Sequence, residues 1–341
     1  MIHSILRFPP PSARLIAALT AVLGAASVCA AQGPPFPPPD VSGKARAVFW
    51  IVDKTPKNQT PKSSWFGYPV KRTRAVEIEV ERQVNAIRKQ HGLVVLRPLE
   101  ELRFLGRLHA REWDALGGGG HKSPLWGHVS DRAAVLYGWR PTQWVLTPAP
   151  APDKHAICDN FRGGGSDARG YTDAWMASEG HKRAILWKSS RQIGMSLSEG
   201  GMAHLMFGGI PTQTLRRLEA LRPLYKRLAN ETKATRLKKL LTRILKIREG
   251  SAFVRIAPLL FDSDPKVRSL ALKALDKLYR LVPKAKGPLF AIVDLGVMSP
   301  DQELSKQARK VMKKLTRQKH ETPAEWHAWW HQDAYKRLLV K

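Results

Sequence analysis

The apolar positions between residues 70 and 116 recur at helical spacing. Val76, Val80, Val84 and Ile87 mark one face of a first helix that should stop at Gly92, where glycine suits a C-terminal cap. Leu99, Leu102, Leu105, Leu108 and Trp113 mark a second helix, broken by the glycine run from Gly117. The pattern then changes period. Residues 191 to 209, RQIGMSLSEGGMAHLMFGG, read as two short strands around Glu199, Gly200 and Gly201, because glycine supplies the positive φ of a tight hairpin turn. RAVFWIVD, at 46 to 53, reads as a further strand. Helices and strands mixed within one block predict an α+β domain.

Beyond Pro211 the pattern is helical to the end. Val267, Ala271, Ala274, Leu275 and Leu278 are repeated by Leu304, Ala308, Val311, Met312 and Leu315 at a constant offset of 37 residues. Pro265 after Asp264 and Pro300 after Ser299 each suggest a cap followed by proline at the first helical position. Leu237, Leu240, Leu241 and Ile244 form a weaker third copy, and the period predicts a small HEAT-like helical array. The tryptophans of EWHAWWHQDAYKRLL read as packing at its end.

The N-terminus modifies the reading of location. Arg7 and Arg14 precede a short apolar run ending in Val28, Cys29 and Ala30, which predicts a signal peptide over 1–30 and an exported protein, periplasmic or extracellular. A proline-rich linker follows over 31–43, then the α+β domain over 44–210 and the helical domain over 211–341. Cleavage after Ala30 leaves Cys158 as the single cysteine, so no internal disulfide is expected.

Charge adds a partner class. The chain holds 57 Lys and Arg against 28 acids, a net +29, and residues 211–341 alone hold 30 against 12. Solvated helical faces account for such a bias unless the cations cluster in three dimensions. If they do cluster, the expected partner is an anionic envelope polymer or an acidic protein rather than nucleic acid. The chain has no nucleophile elbow, phosphate loop or H-E-x-x-H.

Three side chains carry the candidate chemistry: His121 in GGGGHKSP, Asp159 in AICDNFRGGG and His181 in ASEGHKRAIL. Ser178 is a plausible cap that puts His181 in the first turn of a helix, where the macrodipole favours a neutral imidazole able to bind metal or accept a proton. Taken singly, each histidine also fits a capping or hydrogen-bonded role. His109 and His204 read as core or edge residues, and His128 as a residue able to approach His121 across a turn. Cys158, beside Asp159, is a poor thiolate.

In order along the chain, Asn85 and Arg88, Gly92 and Leu93, His109 and Ala110, His121-x-Ser123-Pro124, Asp131 to Ala133, Gly138 and Trp139, Ala174 to Met176, Ser178, Gly180 and His181, then Ile193 and Gly194 resemble the CAP superfamily in its bacterial, disulfide-free form. The resemblance spans about Val76 to Phe207. It implies an α-β-α sandwich with a small antiparallel sheet, and a cleft where His121 and His181 meet carboxylates and a divalent metal, usually zinc. Asp159 stands where the family writes glutamate. The further glutamate has no clean counterpart, Glu179 being the nearest. Three functions follow: a ligand- or metal-binding module with a basic helical region for an envelope or extracellular partner, a metal-assisted hydrolase using His121, Asp159 and His181, or a pure interaction scaffold.

Overall fold

The computed structural model describes residues 71–116, 120–122, 128–139, 141–142, 155–163, 167–198, 200–299 and 301–330. The expected signal peptide, the linker, the strand at 46–53, Ser123, Pro124 and Pro300 lie outside them.

The first two helices are α1 (Lys71–Gln90) and α2 (Glu100–Leu116), with α3 (Val129–Tyr137) after them. Gly92 follows α1 at φ +67°, and Gly138 closes α3 at φ +68°. Strands β1 (Arg97–Pro98), β2 (Pro141–Thr142), β3 (His155–Arg162), β4 (Gln192–Leu197) and β5 (Ala203–Gly209) form one sheet in the order β1-β4-β5-β3-β2. The three long strands pair antiparallel, as expected, with β4 and β5 the hairpin turned at Gly201, φ +86°. The sheet as a whole is mixed rather than antiparallel. β1 and β2 join its two edges in parallel, each by two residues that the connecting chain lays alongside β4 and β3.

Period-two alternation sends the two faces of the sheet into different cores. Ile193, Met195, Leu205, Phe207 and Cys158 pack with Val80 and Val84 of α1 and with Tyr171 and Trp175 of α4 (Ala168–Ala177). Ile157 and Met206 face the other way, into a cluster with Leu102, Leu105 and Leu108 of α2. Helices on both faces make the α-β-α sandwich. The second cluster continues without a break into the helices after Pro211, through Leu221, Leu241, Leu275 and Leu295 to Trp326 and Trp330.

Those helices begin with α6 (Thr212–Leu228) and α7 (Ala234–Lys246), after α5 (Glu179–Ile185) in the sandwich. Short turns including α8 (Phe253–Ile256) lead to α9 (Pro265–Leu281), α10 (Gly287–Ala291), a π-helical segment (Ile292–Val297), α11 (Gln302–Thr316) and α12 (Pro323–Trp329). The 37-residue sequence repeat maps onto α9 and α11. Asp264 caps α9 by accepting from the Lys266 amide at 2.8 Å, with Pro265 first in the helix. The second copy is capped two residues later than expected. Asp301, not Ser299, accepts from the Glu303 and Leu304 amides at 3.0 and 3.2 Å, so its carboxylate satisfies two helix-end donors that a serine before proline would not reach.

The junction between α2 and α6 holds a cavity of about 400 Å³ lined by Glu100, Glu101, Arg222, Tyr225 and Arg255. Burial raises the Glu101 carboxyl to a pKa of about 7, against a partial offset from Arg255. A carboxyl whose pKa is raised by folding stabilises the fold below the ordinary carboxylate range and loses that contribution as pH rises to about 7. Glu101→Gln is therefore expected to flatten the decline in stability between about pH 5 and pH 7 relative to the unmodified chain, as read from urea midpoints across that range.

Candidate functional site

The candidate site is built on the middle of β3. Asp159, on the β3 face that carries Ile157 and Phe161, is only 6% exposed at its side chain. The residue pairing places Met206 opposite it and His204 one alternate position further along β5. A carboxylate on an apolar sheet face needs donors, and two imidazoles supply them. His204 Nε2 hydrogen-bonds Asp159 Oδ2, and His121 Nδ1 lies 3.3 Å from Oδ1.

His181 completes the open side. It is the third residue of α5, and its backbone carbonyl accepts from Asn160 Nδ2 at 3.0 Å, which ties the start of α5 to β3. The rings of His121 and His181 stand 6.0 Å apart, centroid to centroid. The three expected residues thus converge. His121 is 45% exposed at its side chain and His181 half-buried, whereas His204 is fully buried.

Behind this pair lies a buried layer that the sequence reading assigned to packing. His109 of α2 sits 4.7 Å from His204 and 5.2 Å from Phe161, ring to ring. Its Nε2 lies 2.7 Å from the Gly120 carbonyl, one residue before His121, and that same oxygen accepts from Trp113 Nε1 at 3.2 Å. Gly120, immediately before His121, is thereby anchored to α2. Only the signal for His204 was present in the sequence: a histidine two residues from Met206 on the same strand face must be buried with a partner. The identity of that partner depends on the β3–β5 pairing.

The charges follow from this geometry. Burial raises the Asp159 carboxyl, but His204 and His121 overcome it and hold the group well below the ordinary carboxylate range. The hydrogen bond to Asp159 raises the His121 pKa against a smaller effect of burial. Burial lowers His181, and His121 lowers it further. Ser178 occupies the cap position before α5 and His181 its first turn, as expected, although the Ser178 side chain makes no cap hydrogen bond. Burial also lowers His204, although Asp159 opposes it. Cys158, fully buried beside Asp159, has its thiol raised well above the usual range by burial first, as an inert thiol should.

Asp159 with both oxygens facing imidazoles fixes His121 with Nδ1 inward and Nε2 toward the open side. The donor set falls short of a three-ligand metal site. Among the described residues no three or more His, Cys, Asp or Glu side chains are arranged to hold an ion. Glu179, 86% exposed and 3.8 Å from Lys182, points to solvent and adds no donor. Outward, the pair offers the remaining nitrogens of two imidazoles, fewer than the three protein ligands of a resident catalytic zinc.

Two solved structures resemble part of the chain. One is an extracellular protein containing an SCP domain from Bacillus anthracis str. Ames, 19% identical over 40% of each chain with a TM-score of 0.33. The other is a cysteine-rich secretory protein from Staphylococcus aureus subsp. aureus Mu50, 19% identical over 42% of this chain and 40% of that one with a TM-score of 0.30. The chain thus spans about 40% of the length of these solved relatives. No curated protein sequence matches it. The family model of the cysteine-rich secretory protein family, CAP, matches residues 81–203, a span that includes His109, His121, Asp159 and His181 and stops one residue before His204. The chain carries a CAP domain.

Proposed function

We propose that this is an exported CAP-domain binding protein whose cleft holds a small polar ligand through an anionic oxygen, with the basic helical region engaging an envelope or extracellular partner. The observation that carries the cleft reading is the pair of imidazoles 6.0 Å apart on the open side of a buried carboxylate. His121, its pKa raised by Asp159, supplies a second N–H donor as pH falls through that raised value, while His181, its pKa lowered, stays neutral beside it. One charged donor and one neutral nitrogen suit a carboxylate or phosphate oxygen better than a cation. Export is supported by the N-terminal pattern and by the description of the matching family as secretory.

The test is a titration of the full chain with inorganic phosphate and, separately, with zinc, following the imidazole resonances. Phosphate should shift His121 and His181, bind more tightly as pH falls through the His121 pKa, and lose that dependence in His121→Ala. Stoichiometric zinc uptake through both histidines, with no response to phosphate, would replace the anion reading by a metal one.

A further inference from the structure

The cations of the helical region are not evenly spread. Residues 212–248 hold twelve Lys and Arg against two acids, Glu219 and Glu231. That is more than half of the excess positive charge of the segment beyond Pro211, carried by little more than a quarter of its length. Both acids are committed elsewhere: Glu219 pairs with Arg97 of β1, and Glu231 accepts from the Lys233 amide at 3.0 Å.

Helices α6 and α7 form an antiparallel hairpin whose inward residues, Leu221, Leu224, Leu228, Leu237, Leu241 and Ile244, are buried. Helical periodicity then collects the cations on the outside. Arg236, Lys239, Arg243 and Lys246 follow one another at steps of three, four and three residues, which keeps them on one stripe of α7 at intervals of about 4.5–6 Å along the axis. The far end of the stripe runs into a groove of about 380 Å³ between the helices, lined by Arg227, Arg243 and Lys246 above Pro223, Leu224 and Ile247. No acid lines it. Arg227, Arg243 and Lys246 are exposed, and among the described residues none of the stripe or groove cations is held in an ion pair.

We propose that the α6–α7 hairpin is a docking site for a flexible linear polyanion bearing one negative charge per repeating unit, such as the phosphate or uronate chains of an envelope surface. This deepens the partner half of the function proposed above and rests on it, while being independent of the cleft. Two observations select a polymer over a bilayer. The stripe is linear, four cations in register along one helix, which an extended chain of charges can follow. The exposed large apolar side chains among the described residues, Ile78, Val94 and Val95, all lie outside the hairpin, so it has no anchors to insert into lipid. Binding releases counterions from the polymer and should weaken steeply with salt.

The experiment uses the full chain, with long-chain inorganic polyphosphate, polygalacturonate and phosphatidylglycerol vesicles as probes. The variant Arg227→Gln/Arg243→Gln/Lys246→Gln is compared with a control of equal charge loss on α11, Lys306→Gln/Lys310→Gln/Lys313→Gln, both checked for unchanged circular dichroism. The hairpin variant should bind the polymers about tenfold or more weakly, with a shallower dependence on salt, while the control stays within about twofold of the unmodified chain. Equal losses in the two variants would overturn the hairpin as the site and leave only a diffuse basic surface. No binding of either polymer by the unmodified chain, or binding of vesicles alone, would overturn the polyanion partner itself.

Discussion

Glu77→Ala is expected to destabilise the protein by about 3–5 kcal/mol, the usual cost of leaving a buried charge without its partner. Glu77 is fully buried on α1, and its carboxylate has two tasks. It accepts from Arg107 Nε and Nη2 at 3.0 and 2.9 Å, and from the Leu197 amide of β4 at 3.0 Å. Glu81, one turn later, repeats the arrangement with Arg103 and the Met195 amide, the latter at 2.9 Å. The reason lies in the sheet. β1 pairs with β4 only at Gln192 and Ile193, so the outward amides of Met195 and Leu197 have no neighbouring strand. Buried amides without acceptors are costly, and two glutamates of α1 take the place of the missing strand. Arg103 and Arg107 then neutralise them, with Glu100 bridging both arginines at 3.1 and 3.0 Å. Arg107, 1% exposed at its side chain, has its pKa raised by Glu77 and Glu100 in spite of burial. Arg107→Leu should also be costly, because it leaves the buried Glu77 carboxylate with Arg74, at 3.2 Å, as its remaining charged partner. The double variant Glu77→Leu/Arg107→Leu should cost less than the two singles together, since the desolvated charges vanish as a pair, although the Leu197 amide then stays unsatisfied. Urea unfolding of the four proteins at one pH checks both the magnitude and the coupling; additive single losses would show that the pair does not act as one unit.

This network explains why the α1 face was only half legible. Val80 and Val84 announced a helix and its buried side, and both are fully buried. Glu77 and Glu81 lie on that same side at the same spacing, where a pattern reading expects carbon. Their acceptors are amides of a strand more than a hundred residues away, which no local window contains. The hairpin of β4 and β5 was legible because its turn glycine and its alternation are local. So were both long helices before it. The site divides in the same way. His121, Asp159 and His181 were found from glycine-freed loops, a helix start and a resemblance spread over the domain. His204 was assigned to packing because its partner depends on the residue pairing between β3 and β5, a long-range property. The basic surface beyond Pro211 was visible as a number, while its concentration on one helical hairpin needed the packing of α6 against α7.

Asp159→Asn is the substitution with the largest expected effect on the cleft. The native carboxylate accepts from His121 Nδ1–H and from His204 Nε2–H at once. An asparagine offers one acceptor oxygen and turns a donor toward the other imidazole, so one ring must change tautomer or lose its hydrogen bond. With the negative charge gone, the factors left acting on His121 are burial and Arg132, and both lower it. Its pKa should fall from above the ordinary histidine value to that value or below it, a change read directly from the imidazole resonances. The effect on stability has a window set by the two native shifts. Asp159 is held low by folding, so its contribution is present above the ordinary carboxylate range and lost as pH falls beneath it. His121 is held high, so its contribution is present below about 6.5 and lost as pH rises through the folded value. The variant should therefore lag the unmodified chain most between about pH 4 and 6.5, by roughly 1–3 kcal/mol in urea unfolding, and less at pH 8. His181 should move less than His121, because burial is the main cause of its lowered pKa and the His121 and Asp159 effects on it oppose each other. A His121 titration that is unmoved in Asp159→Asn would show that the carboxylate does not orient this ring, and the paired-imidazole cleft would lose its basis.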